Sequence, residues 1–132
     1  MKLTRAADYA IRLLTHLAVD EAAGSTSREM AQKLDIPFNH MAKLVQRLRQ
    51  GGYLLTKKGK GGGLKLATDP REISLAEVVA AIEGPLVVSD CIFKRHICKF
   101  SSSCKVRVCL SMLRRQMDKI LSGTTIYDLA PM

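Results

Sequence analysis

Residues 26–50 limit the possible folds of this chain most strongly, because they contain two short helical patterns separated by a single turn. Thr26-Ser27-Arg28-Glu29 is a capping box, in which the threonine hydroxyl and the glutamate carboxylate bind free backbone N–H groups at the start of a helix. Asp35-Ile36-Pro37 ends that helix, and Pro37 suits the first turn of the next one. Gly51-Gly52 ends the second helix. Two helices joined in this way are typical of a helix-turn-helix.

The second helix of this pair has one apolar face and one polar, basic face. Its apolar residues recur at helical spacing and predict a buried stripe of Met41, Leu44, Val45 and Leu48. In a DNA-binding helix, asparagine and glutamine side chains pair with adenine, and arginine pairs with guanine. We therefore predict DNA contacts from Arg28 of the first helix and from the polar face of the second helix, which carries Asn39, His40, Lys43, Gln46 and Arg47.

A basic hairpin is predicted directly after the helix-turn-helix. Residues 53–56 and 64–66 form two short strand patterns, and residues 57–63 between them are glycine and lysine only. Helix-turn-helix followed by such a hairpin predicts a winged helix. The glycines allow the backbone of the wing to approach DNA. Contacts with phosphates or with an adjacent minor groove are predicted from Lys57, Lys58, Lys60 and Lys65.

Two further helices flank this unit. One runs from Thr4, its predicted N-cap, to about Asp20. The other opens with the capping box Ser74-Leu75-Ala76-Glu77 and stops before Gly84-Pro85. The predicted fold is therefore mainly α with a small β-wing. Its predicted parts are a winged helix-turn-helix domain at 1–70, a connecting helix at 71–85, a cysteine loop at 86–104, and a dimerisation helix with a tail at 105–132.

The last long helix is predicted from near Cys104 to about Leu121. Its apolar residues alternate at spacings of four and three, which is the pattern of a coiled-coil seam. A long helix after a small DNA-binding domain favours pairing with a second copy of the chain. We therefore predict a homodimer whose seam is formed by Val106, Leu110, Leu113, Met117 and Ile120.

The charge of the chain favours a nucleic-acid partner. Lys+Arg number 21 and Asp+Glu number 12 among 132 residues, a formal net charge of +9, and such an excess attracts polyanions. The sequence shows no signal-peptide pattern and no apolar run of about 20 residues, so we expect a cytoplasmic protein. An enzyme is not expected, because no nucleophile accompanies the histidines, which fall on separate predicted elements at His16, His40 and His96.

The cysteines are confined to the last third of the chain, at Cys91, Cys98, Cys104 and Cys109. The first three follow the spacing C-x6-C-x5-C, which lacks the tight pairs of a typical zinc site. Loosely spaced thiolates suit an iron–sulfur cluster. Three cysteines leave one coordination position open, and the candidates are Cys109, His96, a carboxylate or a group from a second subunit. We predict that Cys109 is a small buried residue of the long helix.

Two other uses of these thiols are consistent with the spacing. One is a thiol–disulfide switch in a regulator that holds no cluster. The other is a small iron–sulfur electron carrier, which the charge and the wing disfavour.

The combination of motifs resembles the Rrf-type winged-helix regulators, a family that includes iron–sulfur repressors of the NsrR and IscR kinds. The resemblance is carried by Met1-Lys2-Leu3-Thr4, Asp8-Tyr9-Ala10, the Gly-Gly-Tyr-Leu that ends the second helix, the Gly-Lys-Gly-Gly-Gly wing and the three-cysteine loop before a long helix. It implies a homodimer that binds a palindromic DNA operator. It also implies an iron–sulfur cluster in each subunit, held by Cys91, Cys98 and Cys104.

The resemblance also suggests the fourth ligand. In NsrR-like members, a carboxylate near the start of the first helix of the other subunit can complete a [4Fe–4S] cluster, and Asp8 stands there. In IscR-like members, a histidine three residues after the third cysteine completes a [2Fe–2S] cluster, but this chain has Arg107. The match favours the NsrR-like type and [4Fe–4S] over [2Fe–2S]. Alternatively, Asp8 forms an i,i+4 ion pair with Arg12.

The implied mechanism is a switch in dimer geometry. With the cluster intact, the two recognition helices lie near one DNA turn apart, roughly 34 Å. Nitric oxide, oxygen or another oxidant attacks the cluster, the cysteine loop relaxes and operator affinity falls. The opposite polarity, in which the cluster-free form binds DNA, is the alternative.

Overall fold

The computed structural model describes residues 3–19, 25–59, 62–85, 99–100 and 103–131. These residues form a mainly helical fold with one small antiparallel sheet, as predicted. In chain order, the elements are α1 (Arg5–Val19), α2 (Ser27–Lys33), α3 (Phe38–Gln50), β1 (Leu54–Lys57), β2 (Gly63–Leu66), a 3-10 turn (Pro70–Glu72), α4 (Leu75–Glu83), α5 (Lys105–Gly123) and α6 (Ile126–Leu129).

Helix α1 is the centre of the core. The Thr4 hydroxyl accepts a hydrogen bond from the Ala7 N–H at 3.3 Å, which confirms Thr4 as the cap. The apolar face of α1 is buried and packs against α3, α4, α6 and β2. The hydrophobic effect therefore joins the helix-turn-helix, the wing and the two later helices around one element.

The helix-turn-helix forms where the sequence predicted it. The Thr26 hydroxyl accepts from the Glu29 N–H at 3.1 Å, which is the threonine half of the capping box. Asp35 turns the chain with a φ of 54°, a conformation that aspartate tolerates better than most residues. Pro37 lies at the N-cap of α3, one residue before the first turn where we had placed it. The predicted stripe of α3 is buried, as expected for Met41, Leu44, Val45 and Leu48.

The wing is a short hairpin in which Leu54 pairs with Leu66 and Lys57 pairs with Gly63. The strands begin and end within one residue of the predicted bounds. Leu54 and Leu64 are buried and anchor the wing on the core. A glycine is required at position 62, because a Cβ there would overlap the backbone carbonyl of Lys57.

Helix α4 has the complete capping box that the sequence predicted. Ser74 N–H donates to the Glu77 carboxylate at 2.8 Å, and the Glu77 N–H donates to the Ser74 hydroxyl at 3.2 Å. The helix ends at Gly84, whose φ of 79° is readily adopted by glycine.

The C-terminal helix α6 was not predicted. Thr125 and Asp128 form a capping box at its start, and this Thr-x-x-Asp pattern was visible in the sequence. The Ile126 N–H donates to the Ile73 carbonyl at 2.9 Å, and the Ile126 side chain is fully buried. The Arg71 guanidinium lies 4.6 Å from the Tyr127 ring, and its hydrogen bond with Tyr127 raises the pKa of Arg71. The chain therefore returns to the α1 core after α5.

Helix α5 is the longest helix of the described part of the chain, and it contacts α4. Cys104 is its N-cap, close to the predicted start. In the parts of the chain that the structure describes, no helix is both long and apolar enough to cross a membrane.

Candidate DNA-binding surface and cysteine helix

The outer face of α3 is exposed because its opposite face fills the core. Asn39, Lys43 and Gln46 all lie on this exposed side. The Asn39 side-chain oxygen accepts from the His40 N–H at 3.0 Å, which satisfies one free N–H at the helix start. Polar side chains on a convex helix are what a major-groove contact requires.

The wing adjoins the start of α2. Together they line an open cavity of about 310 Å³, which has Thr26, Ser27, Lys57 and Lys58 on its walls. The Leu64 N–H donates to the Ser25 carbonyl at 2.8 Å and so fastens β2 beside α2. The two exposed lysines of this surface suit contacts with DNA phosphates. Lys60, a further predicted contact, lies outside the described residues.

Arg28 is exposed and is held by an aromatic ring. Its guanidinium carbon lies 4.4 Å from the centroid of the Phe38 ring. This cation–π contact crosses from α2 to the first residue of α3. It reduces the conformational freedom of Arg28 on the side of the molecule where we predicted a DNA contact.

His40 packs towards α1 as well as facing solvent. The His40 and Tyr9 rings meet edge to face with their centroids 6.0 Å apart. A cavity of about 160 Å³ lies beside them, and Lys43 and Arg47 contribute to its walls. This cavity joins the first turns of α1 to the outer face of α3.

Arg47 makes a specific contact with α4. Its Nη1 atom donates to the backbone carbonyl of Ile82 at 3.0 Å. We predicted Arg47 as a DNA contact, and the sequence carried no signal for its bond to Ile82. The two residues are 35 positions apart, so only the packing of α3 on α4 brings them together.

Asp8, the predicted fourth cluster ligand, forms an ion pair with Arg12 at 3.1 Å. This is the alternative that the i,i+4 spacing left open. The Asp8 side chain is 47% exposed, so its carboxylate is accessible to a second molecule. In water, an exposed ion pair of this type contributes less than about 1 kcal/mol and is readily exchanged.

Of the three predicted cluster cysteines, the structure describes Cys104. Cys91, Cys98 and His96 lie outside the described residues. Cys104 is half-buried at the N-cap of α5, and its side chain makes no capping hydrogen bond. The positive end of a helix dipole favours an anionic ligand there. Within the described ranges, no three His, Cys, Asp or Glu side chains are grouped to hold a metal.

Cys109 differs from its prediction. We expected a small buried residue of the long helix, but the structure exposes Cys109 in the subunit. The reason is that α5 contacts the rest of the subunit mainly through α4 and leaves most of its surface to solvent.

The predicted seam of α5 is largely uncovered. None of its 19 residues is buried in the subunit. Ile120 is 66% exposed and Val106 is 65% exposed, and Leu113 is exposed as well. Leu110 and Met117 are half-buried. An apolar strip of this length on a described helix indicates a protein partner.

The fold has a helix-turn-helix with an exposed polar second helix, a basic wing after it and a long C-terminal helix with an exposed apolar strip. These features define a winged-helix transcription regulator. Comparison with known proteins agrees. The model of the Rrf2 family, described as an iron-dependent transcriptional regulator, matches residues 3–131. The chain belongs to the Rrf2 family of DNA-binding transcriptional regulators and is not an enzyme.

Individual relatives extend over nearly the whole chain. It is 33% identical to the regulator NsrR of Bacillus subtilis over 131 residues, which are 98% of this chain and 90% of the relative. It is also 33% identical to the repressor NsrR of Streptomyces coelicolor, over 98% of this chain and 88% of that protein.

Solved structures share the fold. IscR of T. potens superposes with a TM-score of 0.79 at 18% identity, covering 98% of this chain and 85% of that one. CymR, the global cysteine regulator of B. subtilis, superposes with a TM-score of 0.78 at 20% identity, covering 98% and 96%.

Proposed function

We propose that this protein is a cytoplasmic homodimeric repressor whose affinity for a palindromic operator is switched by an iron–sulfur cluster. One observation carries the proposal: Cys104 is the N-cap of the same helix whose apolar seam is largely uncovered in the subunit. A ligand at that point links the state of a cluster directly to the dimer helix.

The proposed dimer forms through the seam of α5. Val106, Leu113 and Ile120 are exposed apolar residues at heptad spacing, and a second copy of α5 would cover them. A two-fold interface of this kind presents two identical recognition helices. Two such helices match the two half-sites of a palindrome.

The proposed DNA contacts are exposed residues of α3 and of the wing. Asn39, Lys43 and Gln46 on α3 would contact base edges, and Lys57 and Lys58 on the wing would contact phosphates. Arg28 is a further proposed contact, and its guanidinium packs on the Phe38 ring. The predicted contacts of His40, Arg47 and Lys60 stay predictions.

The proposed cluster ligands are Cys91, Cys98 and Cys104, completed by Asp8 of the partner subunit. The residues that the structure describes fit this role, since Cys104 lies at a helix N-terminus and Asp8 is accessible. When bound, the cluster supplies a reactive iron centre that nitric oxide and oxidants can attack. The ion pair with Arg12 uses Oδ2 of Asp8, so Oδ1 is left for a ligand role.

Anaerobic purification followed by absorption spectroscopy and native mass spectrometry tests the cluster and the dimer together. The expected result is a coloured dimer that contains iron and sulfide, with [4Fe–4S] favoured over [2Fe–2S]. Selection of bound sequences from a random DNA pool should yield a palindrome. A colourless protein without iron would disprove the cluster, and failure to enrich any sequence would disprove operator binding.

Two variants separate the two roles of Asp8. Asp8→Ala removes both the carboxylate and the ion pair, whereas Arg12→Ala removes the ion pair and leaves the carboxylate free. If Asp8 is a ligand, Asp8→Ala changes the spectrum of the cluster and Arg12→Ala does not. Equal spectra in both variants and the wild type would exclude Asp8 as a ligand.

A cluster-free thiol switch is the second candidate, and the exposure of Cys109 favours it. An exposed thiol five positions after Cys104 is accessible to oxidants and to other thiols. Iron chelation leaves operator affinity unchanged under this mechanism, whereas diamide changes it and Cys109→Ser reduces that change. The opposite pattern supports the cluster.

A further inference from the structure

The last turn of α4 is joined to both functional helices of the N-terminal half. Ile82 accepts a hydrogen bond from Arg47 of α3 at 3.0 Å through its backbone carbonyl. The Glu83 carboxylate accepts one from the backbone N–H of Thr4 at 2.6 Å. Thr4 is in turn the cap of α1. Consecutive residues of α4 therefore hold the recognition helix and the start of the helix that carries Asp8.

The bond from Arg47 satisfies a group that α4 leaves without a helical partner. The last carbonyls of a helix have no N–H group of the next turn to bind. Helix α4 ends at Glu83, so the carbonyl of Ile82 is one of these last carbonyls. The negative end of the helix dipole attracts the guanidinium as well. A charge-assisted bond of this kind is stronger than a bond between neutral groups.

We propose that Arg47 is a positioning residue, which sets the orientation of the recognition helix through Ile82 and so couples it to the segment that follows α4. The proposal rests on the proposed function, in which that segment carries cluster ligands. Cys91 lies eight residues after Glu83 in the sequence.

This role differs from the direct DNA contact that the sequence predicted for Arg47. A bidentate contact with guanine uses two guanidinium nitrogens. In this structure, Nη1 is bound to Ile82 inside the subunit. A bidentate contact that used Nη1 would break that bond and leave the Ile82 carbonyl without its Arg47 donor.

The experiment compares Arg47→Met, Arg47→Lys and the control Arg49→Met with the wild-type protein. Arg49 lies in the same last turn of α3 and is exposed, so its substitution removes the same charge. Binding is measured on the selected operator and on operators with single base-pair changes. Hydrogen exchange is measured by mass spectrometry for α3 and α4, and operator affinity is measured with the cluster intact and after chelation.

Arg47→Met is expected to weaken binding about tenfold on every operator, with the order of preference among them unchanged. The affinity ratio between the cluster-loaded and chelated forms moves towards one. Exchange becomes faster at the end of α4 and in the second half of α3. Arg47→Lys, which keeps a donor and a charge, recovers part of each effect. Arg49→Met leaves both the exchange and the affinity ratio unchanged.

Two results would overturn the proposal. Loss of preference at one base pair, with unchanged exchange, would make Arg47 a base-reading residue. Equal changes in hydrogen exchange from Arg47→Met and Arg49→Met would show that the loss of a positive charge, and not the loss of the bond to Ile82, causes the effect. A failure of the proposed function is distinguished from these results, because in that case the wild-type protein itself enriches no DNA sequence or holds no cluster. The exchange comparison still reports on the Arg47–Ile82 bond in that case.

Discussion

Helices α3 and α5 have similar sequence patterns but opposite surroundings. Both carry apolar stripes at helical spacing and basic residues on other faces. The stripe of α3 is buried against α1 and its neighbours, whereas no residue of α5 is buried in the subunit. The same pattern therefore stabilises the fold in one place and leaves an interface in the other. The difference lies in what the chain brings against each face.

The largest expected effect is a loss of stability when the buried apolar stripe of α3 is disrupted. Leu48→Ala in α3 should lower the free energy of unfolding by about 2–5 kcal/mol, because Leu48 is fully buried and the substitution leaves a cavity. Met112→Ala in α5, whose side chain is 55% exposed and off the seam, should change it by less than about 0.5 kcal/mol. Chemical denaturation at one protein concentration measures both. Equal losses would show that α3 and α5 are equally covered.

The next largest effect is expected on dimer formation, through the exposed apolar seam of α5. Ile120→Asp should raise the dimer dissociation constant about 100-fold or more, because a two-fold interface loses two apolar side chains and gains two like charges. Sedimentation velocity over a range of concentrations measures this change. Lys119→Ala is the matched control, since Lys119 is its neighbour and lies off the seam. A dimer that tolerates Ile120→Asp would place the interface elsewhere.

A smaller effect is expected on the polar face of α3. Lys43→Gln should weaken operator binding about tenfold at fixed salt, because it removes a cation from the proposed groove contact. Lys119→Gln removes the same charge from α5 and should leave operator affinity nearly unchanged. Gel-shift titration of both variants decides between a local contact and a general effect of net charge. Similar losses would point to net charge.

The smallest effect is expected at α6, the short helix after α5 that packs on the core. Hydrogen bonds from the Thr125 backbone N–H and hydroxyl lower the pKa of Asp128 below its ordinary value of 3.8. A lowered pKa in the folded state means that Asp128 contributes stability above pH 3.8, and that this contribution is lost as the pH falls through the lower folded value. In Asp128→Asn, stability should depend less on pH in that acidic range. Thermal unfolding of the variant and the wild-type protein across the acidic range measures the difference. Identical pH profiles would show that Asp128 does not contribute to the pH dependence of stability.

The local elements could be predicted because each depends on neighbours in sequence. The capping box at Ser74, the stripe of α3 and the strand pairing of the wing all appeared within about one residue of their predicted bounds. Pro37 was misplaced by one position, which is the usual uncertainty of a helix boundary. Helix α6 was missed, although its capping box was present, because four residues give too short a periodicity to recognise.

The site was harder to predict, because its contacts join distant parts of the chain. The sequence indicated which residues of α3 are polar, but not that Arg47 is bound to Ile82 or that His40 packs on Tyr9. It indicated an apolar seam on α5, but not the exposure of Cys109. For Asp8, the structure shows the predicted ion pair with Arg12, and the role of Asp8 as a cluster ligand stays a prediction.

By itself, the sequence determined the helix-turn-helix, the wing, the basic charge and the order in which a DNA-binding unit, a cysteine segment and a long helix follow one another. Those features depend on periodicity, capping and turn chemistry, which act over a few residues. Only the tertiary structure decided that the end of α4 holds both α1 and α3, and that the face of α5 is left uncovered. These outcomes depend on how whole helices pack, which local patterns do not specify.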